Sequence, residues 1–576
     1  MLKKITKFID ENILLILSIL LLLVIPLYPK LPIFDIIPGY IVRVRIEDFL
    51  ILFTNFVFLI QVIRKKATLK TPLTKIIFAY AVVGILSILS GIFITKTIPT
   101  TFVHLSKSAL HYLRYLEYFS LFFIFYSSIK SKKQLKILIT TAVISFFLVG
   151  IYGLGQKYLY WPVYSTMNRE FSKGIRLYLT EHARVQSTFG GHYDMAAYLV
   201  IILPIILLMT KISNKKTIRI FYWVVFSLGM WLMVTGASRT SFVASLIGIF
   251  LTILVRSFKE DDKKKKIKYF LSQSLITGIL TLSIFSIFGD DISERLLQSL
   301  NSYPVFAKNY QIVTNKITQT KDYINYKLAE QNIDTEIKIE KPENGLSTEE
   351  AAILVASDER PKPLKPSDVF VDVPDRIEVA TISATGVKST ITIDAPRTYS
   401  DNALKYGLSL AIRLDTLWPQ AIKGFYTNPL LGSGYGTLTK SQVDEFTEAD
   451  STDNNFLRTL GELGLLGFIT FYGAVVLAII QAYKITFKKD LKIFAKEIDL
   501  KAIIGIAFIG SSIGLLINAI FIDVFAASKV ALTFWSITGI LFGLDNIIND
   551  EDSLILKQNK KRNRIKKGKF KNTPSK

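Results

Sequence analysis

Ile13-Leu-Leu-Ile-Leu-Ser-Ile-Leu-Leu-Leu-Leu-Val-Ile25 decides the class of this chain, because its apolar residues are interrupted only by Ser18. A helix built from it is hydrophobic all round, and with its flanks it reaches the length that crosses a hydrocarbon core. Blocks of the same kind recur along the 576 residues. Half the residues are hydrophobic and only 20% are charged, below the roughly 25% of soluble domains. A soluble enzyme and a disordered chain are excluded. So is a porin-like barrel, whose strands would alternate over about ten residues. The reading is an all-α polytopic membrane protein. Cysteine is absent and there are four His, which removes disulfides, thiolate metal sites and a cysteine nucleophile, and argues against structural zinc.

Runs of about 18 or more mainly apolar residues predict twelve spans. They fall near 12–29, 47–63, 74–95, 108–128, 135–153, 193–210, 218–236, 240–256, 269–288, 464–483, 502–521 and 527–545. The first lacks a small-residue cleavage site and reads as a retained helix. Alternate connections are basic: 64–75, 130–136, 211–219, 256–268 and 484–501 fall on one side with the amino terminus and the tail Lys557–Lys576. Together they hold 39 of the 70 Lys and Arg. By the positive-inside rule that side is cytoplasmic and carries both termini. The net charge of +24 is therefore topological, and no nucleic-acid partner is expected. The basic tail suits anionic membrane lipids.

The chain divides into a nine-span bundle over 1–288, an extracytoplasmic part over 289–463, three further spans over 464–545 and the tail 546–576. Residues 289–462 contain 18 Lys and Arg against 26 Asp and Glu. Within them a small α+β insertion is expected at about 305–400. Lys308–Asn332 reads as an amphipathic helix, Ser347-Thr-Glu-Glu350 as a capping box, and 361–366 as a linker. Val369–Val373, Arg376–Thr381 and Ser389–Asp394 alternate like strands.

Four polar segments collect on the predicted outer face. They are Glu181–Asp194, Gly236-Ala-Ser-Arg-Thr-Ser241, Leu408–Gly436 and Ser451–Gly464. The order Ser-Arg before a span, then Arg…Trp…Asn-Pro-Leu-x-Gly-x-Gly, then Asp-Asn-x-Phe-Leu…Glu-x-Gly-x-x-Gly resembles the O-antigen ligase and polymerase family. These are integral-membrane glycosyltransferases of the GT-C class. The likeness covers about 184–256 and 400–545, and the stretch 305–400 stands outside it.

The resemblance implies transfer of a glycan from a polyprenyl-diphosphate carrier to an acceptor hydroxyl of a glycan, lipid or protein. The reaction would take place at the outer face of the cytoplasmic membrane, with no cofactor and no metal. Guanidinium forks can stabilise a leaving diphosphate without a divalent ion, and the acceptor needs a general base. Arg239 and Arg413 are the candidate phosphate-facing catalytic residues, and Asp453 the candidate base. Arg184, Asn454, Gly432 and Gly434 are the candidate binding residues. Simpler readings stand beside these. Arg239 could snorkel at a span end, and Arg413 could lie on the solvated face of an amphipathic helix starting at Ser400-Asp401. The glycines could form only a compact turn, and Thr452 or Asp453 could only cap the helix running to Gly464. Many relatives have His where Asp453 stands, and an ordinary Asp is the weaker base. His192 and Asp194 lack a third partner for a metal. Arg114 and Glu117 are spaced to pair within the fourth span.

A ligase and a polymerase differ only in acceptor, and the sequence does not separate them. A lipid-linked oligosaccharide flippase or other transporter is the alternative from another class. Its polar groups would sit at mid-membrane rather than at span ends. An outer-surface receptor built on the insertion is a third.

Overall fold

The computed structural model describes residues 2–36, 43–167, 171–300 without 214 and 261, 346–347, 375–382, 388–395, 399–438, 451–487, and 500–547 without 546. Helices dominate. The first nine are α1 Leu2–Leu27, α2 Ile46–Ile63, α3 Thr74–Phe93, α4 Phe102–Ser128, α5 Lys132–Tyr158, α6 His192–Met209, α7 Lys216–Thr235, α8 Arg239–Ser257 and α9 Lys263–Phe288. Next come α10 Asp290–Leu300, α11 Asp401–Tyr406, α12 Leu408–Ile412, a π-helical turn Arg413–Leu417, α13 Trp418–Thr427, α14 Asn455–Phe487 and α15 Leu500–Asn518. A last helix, α16, covers 528–545.

Ten of these are long and apolar enough to cross a membrane, so the chain is a multi-pass membrane protein. Helix also occupies the other two predicted spans, 108–128 and 527–545. These carry charges in their loop-end halves, Arg114 and Glu117 in α4 and Lys529 in α16. Contacts between connections separate two ends of the bundle. At the basic end Arg64 and Lys66 both bond Asp10, and Arg256 pairs with Glu260 at 2.9 Å. The other end, here the loop end, gathers 28–36, 43–45, 94–101, 159–167, 171–191, 236–238, 399–438, 451–454 and 519–527.

Close approach needs small residues where lipid offers no hydrophobic drive between helices. α8 and α15 meet through Gly248, Thr252, Gly510 and Gly514. A Cβ on Gly510 would lie 2.1 Å from the Thr252 hydroxyl oxygen. Inside the bundle Tyr80, Tyr115, Phe119, Phe471 and Trp535 form one aromatic cluster, with Phe119 and Trp535 ring centres 4.5 Å apart.

Two of the predicted strand segments are strands. Asp375–Ile382 (β3) pairs antiparallel with Lys388–Ala395 (β4), with Ile377 opposite Ile393 and Val379 opposite Ile391. A short parallel pair joins Leu177–Tyr178 (β1) to Leu346–Ser347 (β2). The predicted helix 308–332, the strand 369–373, the linker 361–366, the tail 548–576 and most of the capping box 347–350 lie outside the described residues.

The segment from Ser400 departs from its expected single helix. Ser400 does cap it, accepting from Ala403 N at 3.2 Å. The helix then stops at Gly407, whose φ of +84° is left-handed, and restarts. The π turn at Arg413–Leu417 follows, a form that recurs at functional sites.

Candidate active site at the loop end

The site is organised by a break in a membrane helix. Gly464 interrupts α14 with φ +63°, ψ −164°. Two intrahelical bonds are lost there, from Leu465 N to Gly461 O and from Leu466 N to Glu462 O. The turn Asn428–Gly436 replaces them. Ser433 N donates to Gly461 O and Gly434 N to Glu462 O, both at 2.9 Å. Leu465 N donates to Pro429 O at 2.9 Å and Leu466 N to Leu430 O at 3.2 Å. Buried backbone groups must find partners in a membrane, and the Asn-Pro-Leu-x-Gly-x-Gly turn supplies them. Asn428 Oδ1 shapes this turn by accepting from Leu430 N and Leu431 N.

Gly432 and Gly434 have φ of +68° and +101°. A Cβ on Gly432 would sit 2.4 Å from the Glu462 carbonyl carbon, and one on Gly434 2.7 Å from Ile98 Cδ1. Gly432 therefore serves close backbone approach to the broken helix, whereas Gly434 makes room for Ile98. Gly436 N donates to Glu462 Oε1 at 3.1 Å, and His111 and Lys107 border Gly436.

Ahead of the break, the start of α14 is held by a residue absent from the sequence reading. Asp523 lies in the link between α15 and α16 and is 7% exposed. Its Oδ2 accepts from Thr452 N at 2.9 Å and Arg458 Nη1 at 3.1 Å, and its Oδ1 accepts from Asn454 N at 3.1 Å. The Ser451 hydroxyl lies 2.9 Å from Oδ2. Arg458 Nε in turn faces Glu462 at 3.6 Å. The helix cap is Asn454, neither Thr452 nor Asp453. Its Oδ1 accepts from Phe456 N at 3.1 Å and Leu457 N at 3.0 Å.

Freed from capping, Asp453 turns its carboxylate to Arg413, with Nη2 to Oδ2 at 2.9 Å. Arg413 also donates to Ser409 O at 2.7 Å and Ser409 Oγ at 2.9 Å. The structure thus brings together two candidate residues separated by a long stretch of sequence.

Arg239 and Arg184 lie in a second group. Arg239 opens α8 and donates to Arg295 O at 3.0 Å. Arg184 bonds His192 and stands over the Tyr193 ring at 6.0 Å. Arg295, on α10, was not singled out in the sequence. Its guanidinium loses basicity through burial and through the neighbouring charges of Arg184 and Arg239. Asp291 and Tyr193 act on it in the opposite sense.

Two further cations of this end pair with acids. Lys30 pairs with Glu47 at 3.3 Å and Arg114 with Asp48 at 2.6 Å and Glu117 at 2.8 Å. Burial, then the charge of Arg45, lowers the Lys30 ammonium below its ordinary pKa. Lys529 donates to the carbonyls of Pro26, Tyr28 and Thr188 at 2.7–3.0 Å. Among the described residues no three of His, Cys, Asp and Glu converge as metal ligands.

The fold and this layer define a polytopic helical membrane protein with an Arg413–Asp453 pair and a second arginine group at its loop end. No family model and no curated protein matches the chain.

Proposed function

We propose that the chain is a membrane glycosyltransferase. It moves a glycan from a polyprenyl-diphosphate carrier to an acceptor hydroxyl, in the manner of O-antigen ligases and polymerases. The basic end and both termini face the cytoplasm, and the loop end faces outside. The observation that carries this reading is the pairing of Arg413 with Asp453 at 2.9 Å, at the same end of the bundle as the Arg184, Arg239 and Arg295 group. A guanidinium suited to diphosphate and a carboxylate suited to a hydroxyl proton are what the transfer needs side by side. Clustering of polar groups at span ends, rather than at mid-membrane, favours chemistry there over transport.

Incubating purified protein with a polyprenyl-diphosphate glycan and candidate acceptors, and weighing the products by mass spectrometry, tests the reading directly. Arg239→Lys and Arg413→Lys keep the charge and lose the bidentate fork. Each lowers turnover on the order of 10²–10³ without lowering yield, as loss of a preorganised charge donor does. Full turnover in both variants would return these arginines to structural roles.

Orientation has its own test, helped by the absence of Cys. Single cysteines replacing Lys65, Lys132 or Lys264 become labelled only after the membrane is permeabilised, whereas one replacing Glu378 is labelled from outside. Labelling of position 378 from the cytoplasm would invert the topology.

A further inference from the structure

We infer that Asp523 is a positioning residue for the reaction proposed above: it fixes the backbone turn that presents Asp453 to Arg413. The inference rests on reading Asp453 as the base, and the argument for it is geometric. Thr452 N and Asn454 N both donate to the Asp523 carboxylate, at 2.9 and 3.1 Å. Two amides flanking one residue can converge on one anion when the chain between them bends into a nest. The bend falls at Asp453, whose φ is +49°, a left-handed value that few residues other than Gly adopt. The side chain of Asp453 is thereby presented to Arg413, at 2.9 Å.

Two more contacts tighten the clasp. Arg458 holds Asp523 Oδ2 from within α14 at 3.1 Å. The Ser451 hydroxyl lies between the two carboxylates, 2.8 Å from Asp453 Oδ1 and 2.9 Å from Asp523 Oδ2. With one proton, it can donate to only one of them at a time. Behind these, Asn455 joins the same link through its N–H to Ala519 O at 2.8 Å, and Phe525 N donates to Asn455 Oδ1 at 3.0 Å.

The test uses the full chain carrying Asp453→Cys, with thiol labelling followed against pH. Arg413 beside the new thiol lowers its pKa below the ordinary value of about 8.5. Adding Asp523→Asn releases the turn, and the thiol pKa rises toward that value by about one unit. Direct electrostatics would move it the other way, since a neighbouring negative charge is lost, so the sign identifies the cause. A fall, or no change, overturns the inference whether or not the protein transfers glycan. Ser451→Ala, at an exposed position, is the milder second variant should Asp523→Asn fail to fold. It raises the thiol pKa by a smaller amount, and an unchanged value there counts equally against the inference.

Turnover gives an independent reading. Asp523→Asn lowers kcat on the order of 10² in the otherwise native chain and by less than about threefold in Asp453→Asn, because coupled residues are not additive. Additive losses would assign Asp523 a role in folding alone. A native chain that forms no glycosidic product would remove the proposed activity and leave the thiol titration to decide the geometry.

Discussion

Asp453→Asn lowers the rate of glycan transfer on the order of 10² or more while the protein is made and folds as the native chain does. Three features of the structure keep activity and stability apart here. The α14 cap is Asn454, so no cap is lost. The Arg413–Asp453 pair is partly open to solvent, at 12% and 34% exposure, and breaking such a pair costs about 1 kcal/mol or less. Asn also tolerates the left-handed backbone at this position. What disappears is the charge that would accept the acceptor's proton. Asp453→His then recovers part of the rate, with a pH optimum nearer neutrality, because imidazole titrates near 6.5. Steady-state rates of both variants from pH 5 to 9 decide the matter. A fully active Asp453→Asn would falsify the base assignment and move attention to Glu462, His192 and Asp194.

Gly432→Ala has the larger effect on folding. Its Cβ would meet Glu462 C at 2.4 Å and Leu463 N at 2.5 Å. Neither backbone atom can retreat without opening the bonds that close the α14 break. The left-handed φ adds about 1–3 kcal/mol, and overpacking a further 1–3 kcal/mol. Little folded protein is expected. Gly278→Ala is the matched control, since nothing lies within 4 Å of its Cβ, and Ala is the better helix former. Yield of monodisperse protein and thermal unfolding in detergent compare the two. Equal unfolding temperatures would show that the turn does not hold the break.

The spans were legible because bilayer thickness imposes a length and an apolar composition that no tertiary contact needs to supply. Helix also covers 108–128, where Arg114 and Glu117 interrupt the apolar run and Asp48 on α2 pairs with the arginine. The break at Gly464 was not legible as such. A run of Gly and Leu there continues a helix as readily as it stops one, and what stops it is a turn upstream. Arg413 and Asp453 stood out through the motifs that resemble a family pattern. Their contact did not, because it depends on the interruptions at Gly407 and at the π turn. Asp523 gave no signal at all. It is one acid in a short link, and its partners include a backbone amide 71 positions away.

The broken helix also has a bearing on biogenesis. A span with a continuous hydrogen-bond ladder can settle in lipid as soon as it is synthesised. α14 cannot, because the carbonyls of Gly461 and Glu462 and the amides of Leu465 and Leu466 bond residues 429–434, with Ser87 Oγ of α3 also donating to Glu462 O at 2.9 Å. That turn must already stand on the loop side of the membrane when α14 enters. Asp523 and Asn455 then lock the ends of α14 and α15 together. Completion of the last three helices therefore depends on a turn that precedes them in the chain, and deleting residues 428–434 would leave α14 without the partners that close its break.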